Sequence, residues 1–224
     1  MPKLSDFQQE QRRARILDAA EQSFARNGFH RTTMQDICRE AGVSAGALYL
    51  YFPSKEALME GIATRSREEV LENFAKMDKA ADFGTALAQL MEDCILRKPI
   101  YKSVIWLEIC AEATRNPAIL NTHGNCQKHI HDALVAMLEN AQKAGRIDPL
   151  QPIPDIVETM SVIADGLFLR RAVEPEFKAE QVGQTILSLM AGLLRPVAAA
   201  EAHAAPGKTS EGKTSAHKAS VEPV

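Results

Sequence analysis

The chain has 224 residues, of which 46% are hydrophobic and 25% are charged, and its formal net charge is −3. This length supports one large or two small hydrophobic cores. No apolar run approaches the roughly 20 residues of a membrane-spanning helix, and the polar N-terminus lacks a signal peptide's apolar stretch. We therefore expect a cytoplasmic protein with no membrane partner. Aromatic residues are few and no alternating strand pattern appears, which favours an all-α fold.

The first predicted helix runs from about residue 7 to residue 27. Ile16, Leu17 and Phe24 recur on it at helical spacing and should face inward. Gly28 should end this helix, and Phe24 and Phe29 stand where a Schellman cap brings two apolar side chains together.

Two short helices with a glycine between them are predicted over residues 33–52. Thr33 is a good N-cap residue, and Asp36 favours a first turn. Gly42 can adopt the positive φ that ends a helix, and Ser44 can cap the next one. This pattern predicts a helix-turn-helix, whose second helix enters the major groove of DNA.

The second short helix presents small residues and tyrosines outward. Gly46 in a helix costs about 1 kcal/mol relative to alanine, but it lets the backbone approach base edges closely. Tyr49 and Tyr51 can reach phosphate oxygens, although packed tyrosine rings would explain the same pattern. Lys55 falls in the first turn of the next helix, where a cation opposes the helix dipole unless a phosphate lies nearby.

The predicted DNA-binding residues have two roles. Gln35, Ala45 and Gly46 should face bases, whereas Thr33, Ser44, Tyr49, Tyr51 and Lys55 should hold the phosphate backbone. Residues 1–60 contain eight basic and eight acidic side chains, so the basic surface usual in DNA-binding domains is missing. The prediction therefore depends on where individual groups are placed.

Residues 12–62, and especially the stretch GVSAGALYLYFPSKEAL, closely resemble the DNA-binding domain of the tetracycline-repressor (TetR) family of regulators. Cys38 stands where the family usually has a small alanine, and Tyr51 where histidine is common. The resemblance implies an N-terminal three-helix helix-turn-helix domain joined by a long helix to a helical ligand-binding and dimerisation domain. It also implies a homodimeric, sequence-specific regulator of double-stranded DNA, usually a repressor that a small molecule releases from a palindromic operator.

The domain boundaries follow from this layout. We assign residues 1–53 to DNA binding, residues 54–195 to ligand sensing and dimerisation, and residues 196–224 to a disordered tail. After a long helix over 54–79, helices are predicted over 82–98, 99–113, 117–144, 155–173 and 177–194. The tail contains GKTSEGKT, which fits a phosphate-binding loop, but it lacks the strand and helix that this motif needs.

An effector pocket is predicted between the middle helices, because these carry methionines, isoleucines and the single tryptophan. Such a lining suits an apolar or aromatic molecule with one or two polar groups, and clustered Arg or Lys for a strongly anionic ligand is not evident. The predicted ligand-binding residues are Phe74, Met91, Trp106, Ile109, His123, Gln127, Ile130, His131, Asp165 and Phe168.

The last two helices carry broad apolar stripes, which could be ordinary core or a four-helix dimer interface. In TetR-like proteins the last two helices form the dimer, so we favour an interface. Its predicted residues are Met160, Ile163, Ala164, Leu167, Ile186, Leu189, Met190 and Leu193.

Rival interpretations concern the cysteines and histidines. Cys94, Cys110 and Cys126 are expected to be reduced core residues, with a redox switch as the alternative. A metal site would need His123, His129 and His131 together with a further ligand, so solvated histidines are expected. Nothing arranges a nucleophile, base and orienting acid, and we expect no enzyme activity, cofactor or metal. A redox- or metal-responsive regulator remains the alternative function, and a helical enzyme or interaction module that does not use its helix-turn-helix is a weaker one.

Overall fold

The computed structural model describes residues 5–197, and within them the fold is helical, as predicted. Three helices form the N-terminal unit: α1 (Asp6–Asn27), α2 (Met34–Ala41) and α3 (Ala45–Tyr51). A long helix, α4 (Lys55–Asp78), connects this unit to the rest. The remaining helices are α5 (Phe83–Met91), α6 (Ile100–Ala113), α7 (Pro117–Lys143), α8 (Ile153–Val173) and α9 (Ala179–Leu194). No helix in the described part is long and apolar enough to cross a membrane.

Local chemistry explains where most helices begin. Ser5, Thr33, Ser44 and Ser54 each accept a hydrogen bond from a backbone N–H in the first turn of the helix that follows. Asn116 caps α7 in the same way and is followed by a proline at the first helical position, where no N–H is needed.

Two hydrophobic clusters hold the fold together. The first joins α1, α2 and α3 to the start of α4, as far as Ile62, and to residues of α6 and α7 including Ile105, Ile109 and Ile119. The second lies among the far ends of α4 and α7 and helices α5, α8 and α9. The first core therefore extends beyond residue 53, where we predicted the domain boundary. Because α4 and α7 contribute to both clusters and α6 packs into the first, the N-terminal unit does not pack independently of the rest.

Two local predictions were wrong. The helix predicted over 82–98 is α-helical only as far as Met91 and continues as a π-helical turn, Glu92–Leu96. Gly28 has φ 82° and ψ 156°, which is not the left-handed conformation of a Schellman cap. The expected ring contact between Phe24 and Phe29 is present, with centroids 5.3 Å apart. Of the predicted tail, the structure describes only Pro196 and Val197. The GKTSEGKT stretch at residues 207–214 lies outside the described residues.

Candidate DNA-binding surface and ligand cavity

The turn between α2 and α3 has the geometry of a helix-turn-helix. Thr33 Oγ1 accepts from Asp36 N at 3.1 Å, while Asp36 Oδ2 accepts from Thr33 N at 3.0 Å. The Thr33 hydrogen bonds hold the pKa of Asp36 below its usual value. Gly42 adopts φ 63°, and the Val43 N–H donates to the Cys38 carbonyl at 3.1 Å, which completes a Schellman motif.

Six of the eight predicted DNA-binding residues lie on the exposed surface of α2 and α3: Thr33, Gln35, Ser44, Ala45, Gly46 and Tyr49. Tyr51 is half-buried and packs against the first hydrophobic cluster, so its ring has a structural role. Leu50 was missed by the sequence reasoning, although it is 82% exposed beside Tyr49. The position of Leu50 on the outer face of a short helix was the available signal.

Lys55 is held inside the domain. Its Nζ donates to the backbone oxygens of Phe29 at 2.7 Å and His30 at 3.2 Å, and lies 4.6 Å from the centre of the Phe29 ring. These contacts explain a cation in the first turn of α4 without a phosphate. Lys55 therefore helps to hold the turn between α1 and α2, and its predicted contact with a DNA phosphate stays a prediction.

Helix α6 supports the same turn from the other side. Glu108 Oε2 accepts from the Phe29 N–H at 2.9 Å. One turn later, Glu112 Oε2 lies 2.9 Å from His30 Nε2, and Glu112 is almost fully buried. The position of the helix-turn-helix therefore depends on where α6 lies.

A buried charge cluster also links α1, α4 and α6. Glu21 on α1 is 0% exposed. Its carboxylate accepts from Lys102 Nζ of α6 at 2.6 and 2.9 Å. Arg65 of α4 brings Nη2 to 3.0 Å from Glu21 and Nη1 to 2.7 Å from Asp18. Arg65 Nε has no hydrogen-bond partner in the described residues, so the arginine side of this cluster is incompletely satisfied.

A cavity of about 270 Å³ opens between α4, α6, α7 and α8, with further walls from α5 and α9. Its lining includes nine of the ten predicted ligand-binding residues: Phe74, Met91, Trp106, Ile109, His123, Gln127, Ile130, Asp165 and Phe168. The rings of Trp106 and Phe168 stack with centroids 5.5 Å apart and form a flat aromatic wall. His131 does not line the cavity; its Nδ1 lies 3.5 Å from Asp132 Oδ1. The prediction for His131 was wrong because residue 131 falls off the inward stripe of α7.

Two polar groups of the cavity wall are affected by burial. Burial lowers the pKa of His123 from its usual value, and the nearby Asp165 charge opposes that change. Burial raises the pKa of Asp165, which His123 opposes. Each group is therefore pushed toward its neutral form by the apolar surroundings.

Cationic side chains of the cavity wall were missed by the sequence reasoning. Arg67, Lys98 and Lys102 all line it. Lys98 forms an ion pair with Glu69 of α4, and Lys102 pairs with Glu21. The sequence analysis expected no clustered Arg or Lys at helical spacing, and it did not anticipate these side chains. Arg67 lies on α4, Lys98 in the turn before α6 and Lys102 on α6, so only the fold brings them together.

Comparison with known proteins decides the family. Residues 16–62 match the family described as "Bacterial regulatory proteins, tetR family", and residues 85–195 match "BetI-type transcriptional repressor, C-terminal". The chain belongs to the TetR family of transcriptional regulators. This confirms the resemblance seen in the helix-turn-helix, and it makes the chain a DNA-binding regulator.

Individual relatives share both the sequence and the fold. The HTH-type transcriptional regulator UidR of Escherichia coli K12 is 31% identical over 137 residues, which cover 61% of this chain and 69% of UidR. The structure of Salmonella enterica GusR is 31% identical in sequence and has a TM-score of 0.69. The matched region covers 82% of this chain and 95% of the GusR chain. FadR from Bacillus subtilis in complex with stearoyl-CoA is only 19% identical but has a TM-score of 0.68 over 79% of this chain and 96% of its own.

The predicted dimer stripe of this TetR-family chain faces its own interior. Leu167 is 5% exposed and Met190 is 2% exposed. Met160, Ile163, Ala164 and Ile186 line the cavity, and Leu193 packs against the second cluster. Leu189, 53% exposed, is the most accessible of the predicted interface residues, and the other five that are not buried are partly exposed. Side chains that are buried or partly buried within the subunit offer less surface to a partner, so most of the predicted stripe is less available for dimerisation than Leu189.

Another face of α8 carries the exposed apolar side chains. Val162 is 63% exposed, Leu169 is 44% exposed and Val173 is 54% exposed. Together with Gly166 these residues recur at intervals of four, three and four, which places them on one stripe of a helix. This outer stripe, together with Leu189, is the apolar surface that α8 and α9 leave uncovered.

The cysteines lie in surroundings that disfavour thiolates. Burial raises the pKa of Cys94 and Cys126, and burial together with the Asp165 charge raises that of Cys110 to about 11. A thiol reacts as its thiolate, so these residues have the character of core side chains. Among residues 5–197, no three His, Cys, Asp or Glu side chains are grouped to hold a metal ion. His129 Nδ1 instead lies 2.6 Å from the Asn125 carbonyl of its own helix.

Proposed function

We propose that this TetR-family regulator binds a two-fold symmetric operator as a homodimer, represses from it, and is released when a small molecule occupies the cavity. The observation that carries the proposal is the double role of α6. One side of this helix presents Trp106 and Ile109 to the cavity, while Glu108 and Glu112 hold the turn that precedes α2.

The coupling is a shift between two populations of one molecule. A ligand against Trp106 favours positions of α6 that accommodate it. Any displacement of α6 moves Glu108 and Glu112, and it also disturbs the Lys102–Glu21 pair. The helix-turn-helix then changes its orientation, and the two α3 helices of a dimer no longer match successive major grooves.

The exposed residues of α2 and α3 divide between base and backbone contacts. Gln35, Ala45 and Gly46 face bases in this proposal, and Thr33, Ser44 and Tyr49 contact phosphates. Replacing Gln35 by alanine should relax preference at one base pair. Replacing Tyr49 by phenylalanine should lower the affinity for all DNA sequences by a similar factor. A loss of specificity in Tyr49→Phe with unchanged overall affinity would reverse these assignments.

The dimer forms through the outer stripe of α8 and the exposed side of α9. An isologous interface pairs the same stripe from both subunits, so Val162, Leu169, Val173 and Leu189 become buried. Such a dimer places its two α3 helices on half-sites roughly one helical turn, about 34 Å, apart or slightly more.

The cavity supports an organic effector with an apolar or aromatic body. Its walls are mainly aliphatic and aromatic, with the Trp106–Phe168 stack as a platform. FadR from Bacillus subtilis, which has a similar fold, was crystallised in complex with stearoyl-CoA, a ligand with a long apolar chain. The redox and metal alternatives have less support here, because the cysteine pKa values are raised and the described residues do not group as metal ligands.

Selection from random duplexes by the purified protein, followed by footprinting, tests this function. We expect a near-palindromic site protected by two subunits, with an affinity that falls steeply as salt is raised. A single asymmetric site bound by one subunit, or binding without sequence preference, would refute the operator model.

A further inference from the structure

Among the described residues of the cavity wall, Arg67 of α4 is a charged side chain without an acidic partner. It lines the cavity and is half-buried. Within residues 5–197 it makes neither an ion pair nor a hydrogen bond, unlike Lys98 and Lys102. A half-buried charge has lost part of its hydration, so an anionic partner can compensate it.

The other charges of the wall compensate one another. Lys98 is neutralised by Glu69 and Lys102 by Glu21. Asp165 is pushed toward its neutral form by burial. Among the described wall residues, the positive charge of Arg67 is therefore the one that no carboxylate neutralises.

Helix α4, which carries Arg67, packs against α7, which carries Cys126. Burial raises the pKa of the Cys126 thiol on α7, and the Arg67 charge works against that effect. Gln127, next to Cys126, lines the cavity too and can donate a second hydrogen bond. A guanidinium and an amide in the lining of one cavity suit an oxyanion, which can accept hydrogen bonds from both.

We propose that the effector of this regulator is an amphipathic oxyanion, whose negatively charged head binds Arg67 and whose apolar body lies against Trp106 and Phe168. This rests on the proposed ligand-responsive function and narrows its ligand class. The head is a carboxylate, a sulfonate or a phosphate monoester, since all three present the same acceptor oxygens to a guanidinium.

Four small probes with one common body test the proposal: 4-phenylbutyrate, 4-phenylbutyl phosphate, 4-phenylbutanol and 4-phenylbutylamine. Binding is measured by quenching of Trp106, the single tryptophan, without DNA. In the native protein one or both anions should bind about tenfold to a hundredfold more tightly than the alcohol, the range for a hydrogen bond to a charged group. The two anionic probes decide between a carboxylate and a phosphate head.

The variants locate the head group. Arg67→Met keeps a long apolar side chain and removes the charge. In this variant the affinities for the anion and the alcohol should differ by no more than about threefold, which is a free-energy difference of less than about 0.7 kcal/mol by the rule of about 1.4 kcal/mol per tenfold. Arg67→Lys should retain part of the preference, and it guards against a folding defect in Arg67→Met. Arg97→Met is the matched control, because Arg97 lies on the exposed surface with Glu92 and Asp93.

Three outcomes would overturn the inference: an anion preference that survives in Arg67→Met, tightest binding of the amine by the native protein, or no quenching by any probe. Operator binding is measured separately. If anion selectivity depends on Arg67 but no probe alters operator affinity, the ligand class stands and ligand-controlled regulation fails.

Discussion

Replacement of Lys102 by methionine tests whether the buried charge cluster holds α6 to the N-terminal unit. The substitution keeps the aliphatic length of the side chain and removes the ammonium group that donates to Glu21 at 2.6 and 2.9 Å. Glu21 is 0% exposed, so water cannot replace the lost hydrogen bonds. Only Arg65 then remains, with Nη2 3.0 Å from the carboxylate.

The expected loss of stability follows from this geometry. Breaking a buried ion pair costs about 3–5 kcal/mol when one charge is left alone. Because Arg65 remains, we expect about 2–3 kcal/mol for Lys102→Met, toward the upper range for hydrogen bonds to charged groups. For a protein of this size that corresponds to a melting temperature lower by about 4–12 °C.

Urea denaturation and thermal melting measure this loss, with Lys128→Met as the control. Lys128 Nζ lies 2.7 Å from Asp132, but both side chains are largely exposed. Such a surface pair contributes at most about 1 kcal/mol. Adding Glu21→Gln to Lys102→Met should cost less than the two single changes summed. The reasoning is refuted if Lys102→Met costs no more than Lys128→Met.

Three further predictions concern the interface, the cavity and the cysteines. Leu169→Asp should be monomeric in analytical ultracentrifugation. Leu120→Asp, which changes another exposed surface, should remain dimeric. A dimeric Leu169→Asp variant would rule out the outer stripe as the dimer interface. The pKa of His123 is lowered in the folded state, so the unfolded state takes up its proton at a higher pH and the stability of the fold decreases below about pH 6.5. His123→Gln should reduce this loss of stability between pH 7 and pH 5. An unchanged dependence of stability on pH in the variant would contradict the prediction. Since burial and Asp165 raise the pKa of Cys110 to about 11, peroxide at pH 7.5 should leave operator affinity unchanged, and a large decrease would favour a redox sensor.

The helix-turn-helix could be predicted from sequence because its signals are local. The side chain of Thr33 accepts a hydrogen bond from a backbone N–H in the first turn of α2, Gly42 adopts a positive φ, and Ser44 caps α3. All of these signals lie within a few residues of the helix that they begin or end. The role of Lys55 could not be predicted in this way. Its partners, the carbonyls of Phe29 and His30, lie about 25 residues earlier in the chain.

The dimer face could not be read from the sequence because α8 is apolar on two sides. One stripe contains Ile163 and Leu167, and the other contains Val162 and Leu169. Helical periodicity identifies both stripes but does not say which one the subunit buries. Packing against α6 and α7 decides that, and the proposed interface therefore uses the stripe that the subunit leaves exposed.

The cavity was predicted well in its apolar part and poorly in its charges. Apolar side chains on inward stripes must meet somewhere between the middle helices, and all six of the predicted apolar residues line the cavity. Arg67 was not considered, because a basic residue on a long helix is ordinarily exposed to solvent. Its position in the wall depends on how α4 and α7 approach each other.

The central claim is that the cavity and the operator-binding surface are coupled, and reciprocal linkage tests it most directly. A compound that quenches Trp106 is titrated into the protein with and without the selected operator duplex, and operator affinity is measured with and without the compound. Coupling requires that each ligand lower the affinity for the other by the same factor, which we expect to be about 5- to 150-fold, the usual range of allosteric coupling. Full quenching of Trp106 with unchanged operator affinity would contradict the account.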